Sequence, residues 1–165
     1  MRIKLFAMDV DGTMTDGKIY IGCGGELVKA FHVKDGQGIA LLRKAGIVTA
    51  IITARTSEIV RHRAGELQID EVWQGVSDKE EVLRLLCEKY ELEADRTAYI
   101  GDDIGDLPAL NFAGISFCPA DAVPEVRRAA QVVLPSRGGG GAVRDAAEWI
   151  LANAANVSGE SCNEA

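Results

Sequence analysis

The sequence predicts an α/β fold built on a parallel β-sheet. Apolar runs of strand length alternate with longer stretches of helical periodicity, which is typical of a parallel sheet covered by helices. The chain has 165 residues, of which 47% are apolar, and this suffices for one domain with its own hydrophobic core. We therefore predict one domain over residues 1–154 and a disordered tail over residues 155–165.

The predicted strands and helices follow one another in chain order. The strands are the apolar segments at residues 3–8, 47–52, 71–73, 97–100, 115–118 and 131–134. The helices are predicted at residues 38–45, 57–67, 78–90, 104–112 and 143–152. Asp35 is suited to cap the first helix, and Ser77 with Glu80 forms a capping box before the third. The buried face of that third helix is predicted to contain Val82, Leu85, Leu86 and Tyr90.

Residues 17–34 break this alternation and are predicted to form a β-hairpin inserted after the first strand. Two strand-like segments, 18–22 and 26–33, flank the turn residues Gly24 and Gly25. Their faces carry much apolar surface for a short ribbon, and an isolated hairpin is only marginally stable in water. We therefore predict that this hairpin packs against another subunit.

Composition and charge argue against several classes of function. A net charge of −7 is unsuited to a broad nucleic-acid surface, which requires a basic face. No segment approaches the ~18 consecutive apolar residues of a membrane span, and the N-terminus lacks the organisation of a signal peptide. The four cysteines have neither paired nor metal-ligand spacing, so we predict free thiols in a reducing cytoplasm.

Two carboxylates stand directly after the first predicted strand. Asp9 and Asp11 are separated by one residue, and Gly12 allows the chain to turn sharply after them. The carboxyl ends of parallel strands are where α/β proteins place their active sites. An ordinary Asx turn is the alternative explanation, and this motif by itself would not exclude it.

A second acidic cluster follows the predicted strand at 97–100. Asp102, Asp103 and Asp106 would repel one another and the first pair unless a cation joins them, and carboxylate oxygens with water and phosphate are the ligands that Mg²⁺ prefers. Helix capping explains Asp103, and charge complementarity in the first turn explains Asp106. Neither explains Asp102, so the cluster indicates a metal site.

Thr53 and Lys79 complete the set of candidate catalytic residues. Thr53 ends a predicted strand just before a helix, where a hydroxyl and free backbone amides can bind an anion. Lys79 lies in the first turn of a helix, where the macrodipole disfavours a cation by ~0.3–1 kcal/mol. Each residue also has a purely structural explanation: Thr53 could be an ordinary residue at the end of a strand, and Lys79 an ordinary surface lysine.

In this chain order, the four motifs resemble the signature of the haloacid dehalogenase superfamily. The resemblance covers residues 6–106 and implies a three-layer, Rossmann-like α/β fold. It implies that Asp9 attacks phosphorus to form an aspartyl phosphate. Asp11 would protonate the leaving alcohol and then activate water, while Thr53 and Lys79 would bind the phosphoryl oxygens.

The same resemblance implies a Mg²⁺ cofactor. Asp9, Asp102 and the backbone carbonyl of Asp11 would hold the ion, which shields the charge between two anions. Asp103 and Asp106 would orient water molecules on the metal.

A narrower resemblance extends over nearly the whole chain, to about Leu151. The segments 9–39, 51–79 and 138–145 are similar to the capless, tetrameric phosphatases that act on 3-deoxy-D-manno-octulosonate 8-phosphate. The resemblance implies a fold without a cap domain and a homotetramer whose hairpins form a central barrel. It also implies that the glycine-rich C-terminal segment closes over a neighbour's active site.

This family resemblance also implies a set of substrate contacts. The residues concerned are Asp11, His32, Val33, Lys34, Asp35, Gly36, Arg55, Arg63 and Lys79. Arginine is suited to such a task because its guanidinium binds a sugar-acid carboxylate through two hydrogen bonds.

Departures from the family pattern keep alternative functions open. Ala40 and Gly140 stand where the family tends to carry arginine, and His32 replaces a common asparagine. One alternative is a phosphatase for a sialic-type nine-carbon 9-phosphate or another acidic sugar, although that sister group typically carries glutamate where this chain has Arg55. The other, from a different class, is a catalytically silent oligomerisation module.

Overall fold

A parallel β-sheet lies between two layers of helices, as the sequence predicts. The computed structural model describes residues 3–156, and for residues 154–156 it describes the backbone alone. Eight strands are present: β1 (Leu5–Met8), β2 (Tyr20–Gly22), β3 (Gly25–Val28), β4 (Val48–Ile52), β5 (Glu71–Trp73), β6 (Thr97–Ile100), β7 (Ile115–Cys118) and β8 (Val132–Val133). Six α-helices are present: α1 (Val33–Lys44), α2 (Glu58–Leu67), α3 (Lys79–Lys89), α4 (Leu107–Phe112), α5 (Pro124–Ala129) and α6 (Ala142–Asn156).

The order of the strands brings the candidate motifs together. Six strands form one parallel sheet in the order β5-β4-β1-β6-β7-β8. β1 therefore lies between β4 and β6, and the chain leaves β1 near the centre of the sheet, where its strand order reverses. In open α/β sheets, ligands bind at this reversal, beside the carboxyl ends of the strands.

Successive residues of β1 point into different hydrophobic cores. Phe6 and Met8 belong to the core beneath α1, α2 and α6, whereas Leu5 and Ala7 belong to the core beneath α3, α4 and α5. All four side chains are fully buried. A strand covered by helices on both faces requires apolar side chains at consecutive positions, which explains why every residue of β1 is apolar.

The predicted hairpin is present but shorter than expected. β2 and β3 form a separate antiparallel sheet, and the chain enters α1 at Val33, so Phe31 to Val33 do not continue the second strand. α1 therefore begins five residues earlier than predicted, with His32 and not Asp35 as its N-cap. The prediction failed because the apolar residues before α1 resemble the end of a strand.

Several smaller predictions about the helices are also wrong. Asp78, whose side chain accepts from the backbone of Glu81, caps α3 in place of Ser77. Leu85 is exposed on that helix, and Leu83 is buried instead. The short helix α5 was not predicted, because its six residues hold little periodic pattern.

Two sequence predictions lie wholly or partly outside the described residues. Cys162 is one, while the other three cysteines are free thiols. The predicted tail at 155–165 is the second, although α6 itself continues to Asn156. Within residues 3–156, no helix is both long enough and apolar enough to span a membrane.

The glycine-rich segment before α6 packs against the loop that follows β1. The backbone amide of Gly139 donates to the carbonyl of Thr13 at 3.0 Å, and the amide of Gly138 donates to Asp121 at 2.9 Å. A Cβ at Gly138 would lie 1.8 Å from the carbonyl oxygen of Gly12. This close approach lets residues 138–139 support the loop that carries the two aspartates within the same chain.

We predict that Gly138→Ala lowers the free energy of unfolding by about 1–3 kcal/mol, because the added methyl group would displace the backbone of Gly12. Gly65→Ala is the matched control, since Gly65 lies exposed in α2 with nothing within 4 Å of its Cβ position. That control should gain roughly 0.5–1 kcal/mol from helix propensity. Urea unfolding measures both, and equal effects of the two variants would contradict this packing.

Candidate active site

The candidate catalytic residues converge at the carboxyl edge of the sheet. Asp9 follows β1, Thr53 follows β4, and Asp102 follows β6 after one glycine. Because β1 lies between β4 and β6, the three loops are neighbours in space. The sequence motifs are thus assembled by the strand order, as the prediction required.

Asp9 and Lys79 form a buried ion pair at the centre of this edge. The ammonium of Lys79 donates to Asp9 at 2.7 Å and to Asp106 at 2.6 Å. Burial disfavours the charged amine, but the two carboxylates outweigh it and raise the pKa of Lys79. The helix macrodipole at the start of α3 also opposes a lysine there, so these two carboxylates account for its position.

Asp106 holds several parts of the site at once. One of its oxygens accepts from Lys79 and from the hydroxyl of Tyr99 at 2.7 Å. The other accepts from the backbone amides of Asp102 at 3.0 Å and Asp103 at 3.2 Å. These four hydrogen bonds show Asp106 anchoring the lysine and the acidic loop. The side chain of Asp103 caps the single helical turn Ile104–Asp106 and accepts from the backbone amide of Ile104 at 2.7 Å.

Asp102 approaches the loop after β1 very closely. Its carboxylate accepts from the hydroxyl of Thr13 at 3.2 Å. A Cβ at Gly12 would lie 2.1 Å from an oxygen of Asp102, and the backbone at Gly12 has a φ of +94°, which favours glycine. Gly12 is therefore required both for the turn and for the position of Asp102.

The acidic residues form a set of oxygen donors that fits a divalent cation. Carboxylate oxygens of Asp9, Asp102 and Asp106 can all lie within 4.8 Å of one another. Burial and the charge of Asp106 raise the pKa of Asp9 to about 6, although Lys79 opposes this. Burial and the charges of Asp9 and Asp106 raise the pKa of Asp102 to about 7. Uncompensated negative charge between oxygen donors is the environment that a hard cation such as Mg²⁺ relieves.

An open cavity of about 220 Å³ lies above this cluster. Its lining residues are Asp9, Asp11, Thr53, Ala54, Arg55, Lys79, Asp103, Gly105 and Asp106. Thr53 is almost fully buried, whereas the side chain of Arg55 is about half exposed at the mouth. The cavity is thus lined by a carboxylate that can act as a nucleophile, a hydroxyl and two cations. This lining is suited to a phosphate ester with a second anionic group.

Two residues of the hairpin insertion that the sequence analysis did not identify reach this site. Lys29, whose side chain is 1% exposed, donates a hydrogen bond to Asp11 and forms an ion pair with Glu26 at 2.9 Å. Glu26 in turn accepts a hydrogen bond from Ser57, the N-cap of α2. The sequence signal was weak, because a single lysine and glutamate in a hairpin usually face solvent. Tyr99 was also missed, since it reads as an ordinary residue of a buried strand.

The predicted substrate residues at 32–36 lie apart from this cavity. His32, Asp35 and Gly36 line a tight crevice together with Arg63, and Val33 and Lys34 are exposed. The carboxylate of Asp35 is buried and accepts from the backbone of Arg144 at the start of α6.

Arg63 is likewise held by neighbours outside the cavity. Its guanidinium lies 5.8 Å from the ring centre of Phe31 and donates to Glu66 at 3.1 Å. None of these residues lines the cavity of this chain. The expected substrate contacts of this group and of Arg55 remain predictions, and Arg55 is the one of the two predicted arginines that lines the cavity.

Comparison with known proteins agrees with this geometry. A family model described as haloacid dehalogenase-like hydrolase matches residues 71–146. The 3-deoxy-D-manno-octulosonate 8-phosphate phosphatase KdsC of Haemophilus influenzae is 42% identical over 149 residues, covering 90% of this chain and 83% of that protein. KdsC of Escherichia coli K12 is 40% identical over 149 residues, covering 90% of this chain and 79% of that protein.

Solved structures give the same result. The cobalt-bound deoxy-D-mannose-octulosonate 8-phosphate phosphatase from Haemophilus influenzae matches with a TM-score of 0.91 at 40% identity, covering 97% of this chain and 94% of that chain. The phosphatase from Moraxella catarrhalis, in complex with magnesium, phosphate and KDO, matches with a TM-score of 0.90 at 42% identity, covering 94% and 90%. The chain therefore belongs to the 3-deoxy-D-manno-octulosonate 8-phosphate phosphatase family of haloacid dehalogenase-like hydrolases, a family of phosphoric monoester hydrolases.

Proposed function

We propose that this chain hydrolyses 3-deoxy-D-manno-octulosonate 8-phosphate to the free sugar acid and phosphate, with Mg²⁺ as its cofactor. The observation that carries the proposal is the cavity itself. Asp9 lies at its floor beside the acidic cluster, and Arg55 stands at its mouth. The relatives named for this substrate share 40–42% identity with the chain over 149 residues, which supports the same reaction.

Asp9 is the proposed nucleophile. Its carboxylate attacks phosphorus, the bond to the sugar oxygen breaks, and an aspartyl phosphate forms. Lys79 supports this step, because its charge stabilises the ionised carboxylate and fixes its orientation. An ammonium has three donors, and two are used by Asp9 and Asp106, so the third is available to a phosphoryl oxygen. The hydroxyl of Thr53 lines the same cavity and would bind another.

Asp11 is the proposed general acid and base. It gives a proton to the departing sugar oxygen and then takes one from the water that hydrolyses the aspartyl phosphate. Its side chain is partly exposed at the cavity, beside Asp9 in sequence and within reach of an incoming ester. A carboxylate in this place can serve both steps, because the protonated form left by the second step is the acid needed for the first.

Asp9, Asp102 and the backbone carbonyl of Asp11 would hold Mg²⁺. When bound, the ion shields the charge between the attacking carboxylate and the phosphate, which would otherwise repel each other. The raised pKa values of Asp9 and Asp102 support a cation site, since they arise from burial and from the neighbouring carboxylates, and a cation would offset both effects. Asp103 and Asp106 would orient water on the metal while one oxygen of each also accepts from backbone amides.

The sugar acid is proposed to bind through Arg55. Its guanidinium lies 3.7 Å from Asp11 and is open to the cavity, so it can pair with the carboxylate of the substrate. Ala40 and Gly140, where the family tends to have arginine, are both exposed. Their replacement therefore removes surface charge and leaves the catalytic cluster intact.

We also propose that the chain forms a homotetramer through its hairpin. Ile21 and Leu27 are 72% and 66% exposed, and Ile19, Tyr20 and Val28 add to the same apolar surface. A monomer rarely leaves such surface on a two-stranded sheet without a partner. The cavity of about 220 Å³ is smaller than the ~300–1,000 Å³ of typical ligand pockets, so a neighbouring subunit would complete it. Residues 32–36 and Arg63 would contact substrate in this way, from a neighbouring subunit.

Two further proposals concern the chain as a whole. We propose that residues 1–154 act as one domain, since one sheet joins motifs from both ends of that range. We propose a cytoplasmic location, supported by the free thiols of Cys23, Cys87 and Cys118.

The proposed reaction predicts Mg²⁺-dependent phosphate release from 3-deoxy-D-manno-octulosonate 8-phosphate, faster than from a sialic-type nine-carbon 9-phosphate. Asp9→Asn should lower the rate by roughly 10³-fold or more, as loss of a nucleophile does. Asp16→Asn, at an exposed position near the same loop, should leave it unchanged. Colorimetric phosphate detection measures all three proteins.

The outcomes of this assay separate the competing functions. Hydrolysis of aryl phosphates without turnover of either sugar phosphate would retain the phosphatase and contradict the substrate. A preference for the nine-carbon ester would favour the sialic-type alternative. If no ester were hydrolysed in an Asp9-dependent manner, the chain would be a silent oligomerisation module.

The proposed assembly predicts a tetramer in solution at micromolar concentration. Ile21→Glu combined with Leu27→Glu should dissociate it, because two charges would be buried in each apolar contact. Leu85→Glu, on the exposed face of α3, is the matched control and should remain tetrameric. Sedimentation velocity distinguishes the states, and a monomeric unmodified chain would refute both the assembly and the shared site.

A further inference from the structure

The hairpin is joined to the catalytic loop by a buried ion pair. Lys29, at the end of β3, donates to one carboxylate oxygen of Asp11 and lies 2.9 Å from Glu26. Its side chain is 1% exposed, although the strands around it are largely open to solvent. A lysine this deeply buried is expensive unless its charge is paired, and Asp11 provides that pairing.

The network around Lys29 is balanced in charge and extends to α2. Glu26 accepts a hydrogen bond from Ser57 and lies 3.9 Å from Arg55. The other oxygen of Asp11 lies 3.7 Å from Arg55. Two carboxylates thus face two cations, and the group joins the hairpin, the loop after β1 and the start of α2. The pKa of Lys29 is raised, because its two carboxylate partners outweigh its burial.

We propose that Lys29 is a positioning residue for the reaction, and that it holds the side chain of Asp11 in the orientation needed for proton transfer. The proposal rests on the function proposed above. A general acid must lie within ~2.6–3.2 Å of the oxygen that it protonates. Lys29 fixes one oxygen of Asp11 from the hairpin side, while the other oxygen lies 3.7 Å from Arg55, which lines the cavity together with Asp11.

A second consequence follows from where Lys29 lies. The same short hairpin carries the exposed apolar residues Ile21 and Leu27 on its surface and Lys29 in its interior. Contacts that hold the hairpin in place would therefore also hold Asp11. The contact between Lys29 and Asp11 therefore makes the geometry of proton transfer depend on the hairpin, although Lys29 itself does not contact the substrate.

The test compares two aryl esters that differ in their need for a general acid. The leaving group of p-nitrophenyl phosphate departs readily as an anion, whereas that of phenyl phosphate benefits from protonation. In Lys29→Met, release of phenol in the first turnover should fall by about 10–100-fold, the effect of a misplaced acid. Release of p-nitrophenol in the first turnover should fall by less than about 3-fold, because no proton transfer is needed. Rapid-quench measurements with Mg²⁺ give both rates.

The rate of product release after the first turnover is an independent measurement. Asp11 also activates the water that hydrolyses the aspartyl phosphate, so Lys29→Met should show a burst of p-nitrophenol followed by slow steady-state release. The steady-state KM for p-nitrophenyl phosphate should fall together with its kcat, because the aspartyl phosphate accumulates, whereas kcat/KM for this ester should change by less than about 3-fold. Lys18→Met, on the exposed side of the same insertion, is the matched control and should show no burst.

A second variant, in which the loss of the lysine charge is balanced by the loss of a carboxylate charge, keeps the test valid if Lys29→Met does not fold. Lys29→Met leaves two carboxylates facing Arg55, whereas Lys29→Met with Glu26→Gln leaves one carboxylate and one cation. The double variant should keep the dependence on the leaving group while restoring thermal stability. Thermal unfolding identifies which of the two variants is suitable for kinetics.

Equal losses with the two esters, or a change in KM alone, would overturn the role of Lys29. Neither ester contains a sugar, so an error in the sugar assignment does not affect this result. An unmodified chain that hydrolyses neither ester would contradict the phosphatase function and this role together, whereas an active chain with an unchanged ratio in Lys29→Met contradicts only the latter.

Discussion

Repulsion among three crowded carboxylates is the constraint around which this active site is organised. Asp9, Asp102 and Asp106 can bring oxygens within 4.8 Å of one another in a largely buried space, and Lys79 pairs with two of them. Burial, together with three carboxylates facing one ammonium, raises the pKa of Asp9 to about 6 and that of Asp102 to about 7. The folded chain thus holds protons there that an unfolded chain would release, and these two groups lower stability as the pH rises from about 4 to about 7. A bound cation would remove this cost and leave both carboxylates ionised for their work.

The parallel sheet makes this crowding possible. Because β1 lies between β4 and β6, three loops meet at the carboxyl edge, and each contributes a short polar side chain. Gly12 then allows Asp102 to approach, and the glycine-rich segment before α6 supports the same loop from the other side. The hairpin insertion adds a second group of paired charges, in which Lys29 pairs with Asp11 and Glu26, and Glu26 accepts from Ser57 at the start of α2. Each supporting contact comes from a different part of the chain, so the site depends on the whole fold.

The architecture and the central site could be predicted because both depend on local sequence. The strands β5, β6 and β7 match their predicted residues, since each is an apolar run with clear ends. Asp9 and Thr53, directly after strands, and Lys79, at the start of α3, line one cavity because a parallel sheet brings the ends of neighbouring strands to the same edge. The start of α1 was misjudged because the apolar residues before it resemble the end of a strand.

The supporting contacts could not be predicted, because they join residues far apart in the sequence. Nothing near Lys29 in the sequence indicates that it reaches Asp11, 18 residues earlier. Tyr99 and Asp106 likewise meet through the folded loop and not through a pattern. Asp35, in α1, accepts from the backbone of Arg144 at the start of α6, a contact between residues 109 positions apart in the sequence.

The central claim is that the folded site holds protons which a divalent cation displaces. Isothermal titration of the metal-free chain with Mg²⁺, in two buffers of different ionisation enthalpy, measures that number directly. From pKa values of about 6 and about 7, we expect close to one proton released at pH 6.5 and almost none at pH 8.5. Binding of Mg²⁺ at pH 6.5 without proton release would contradict the account.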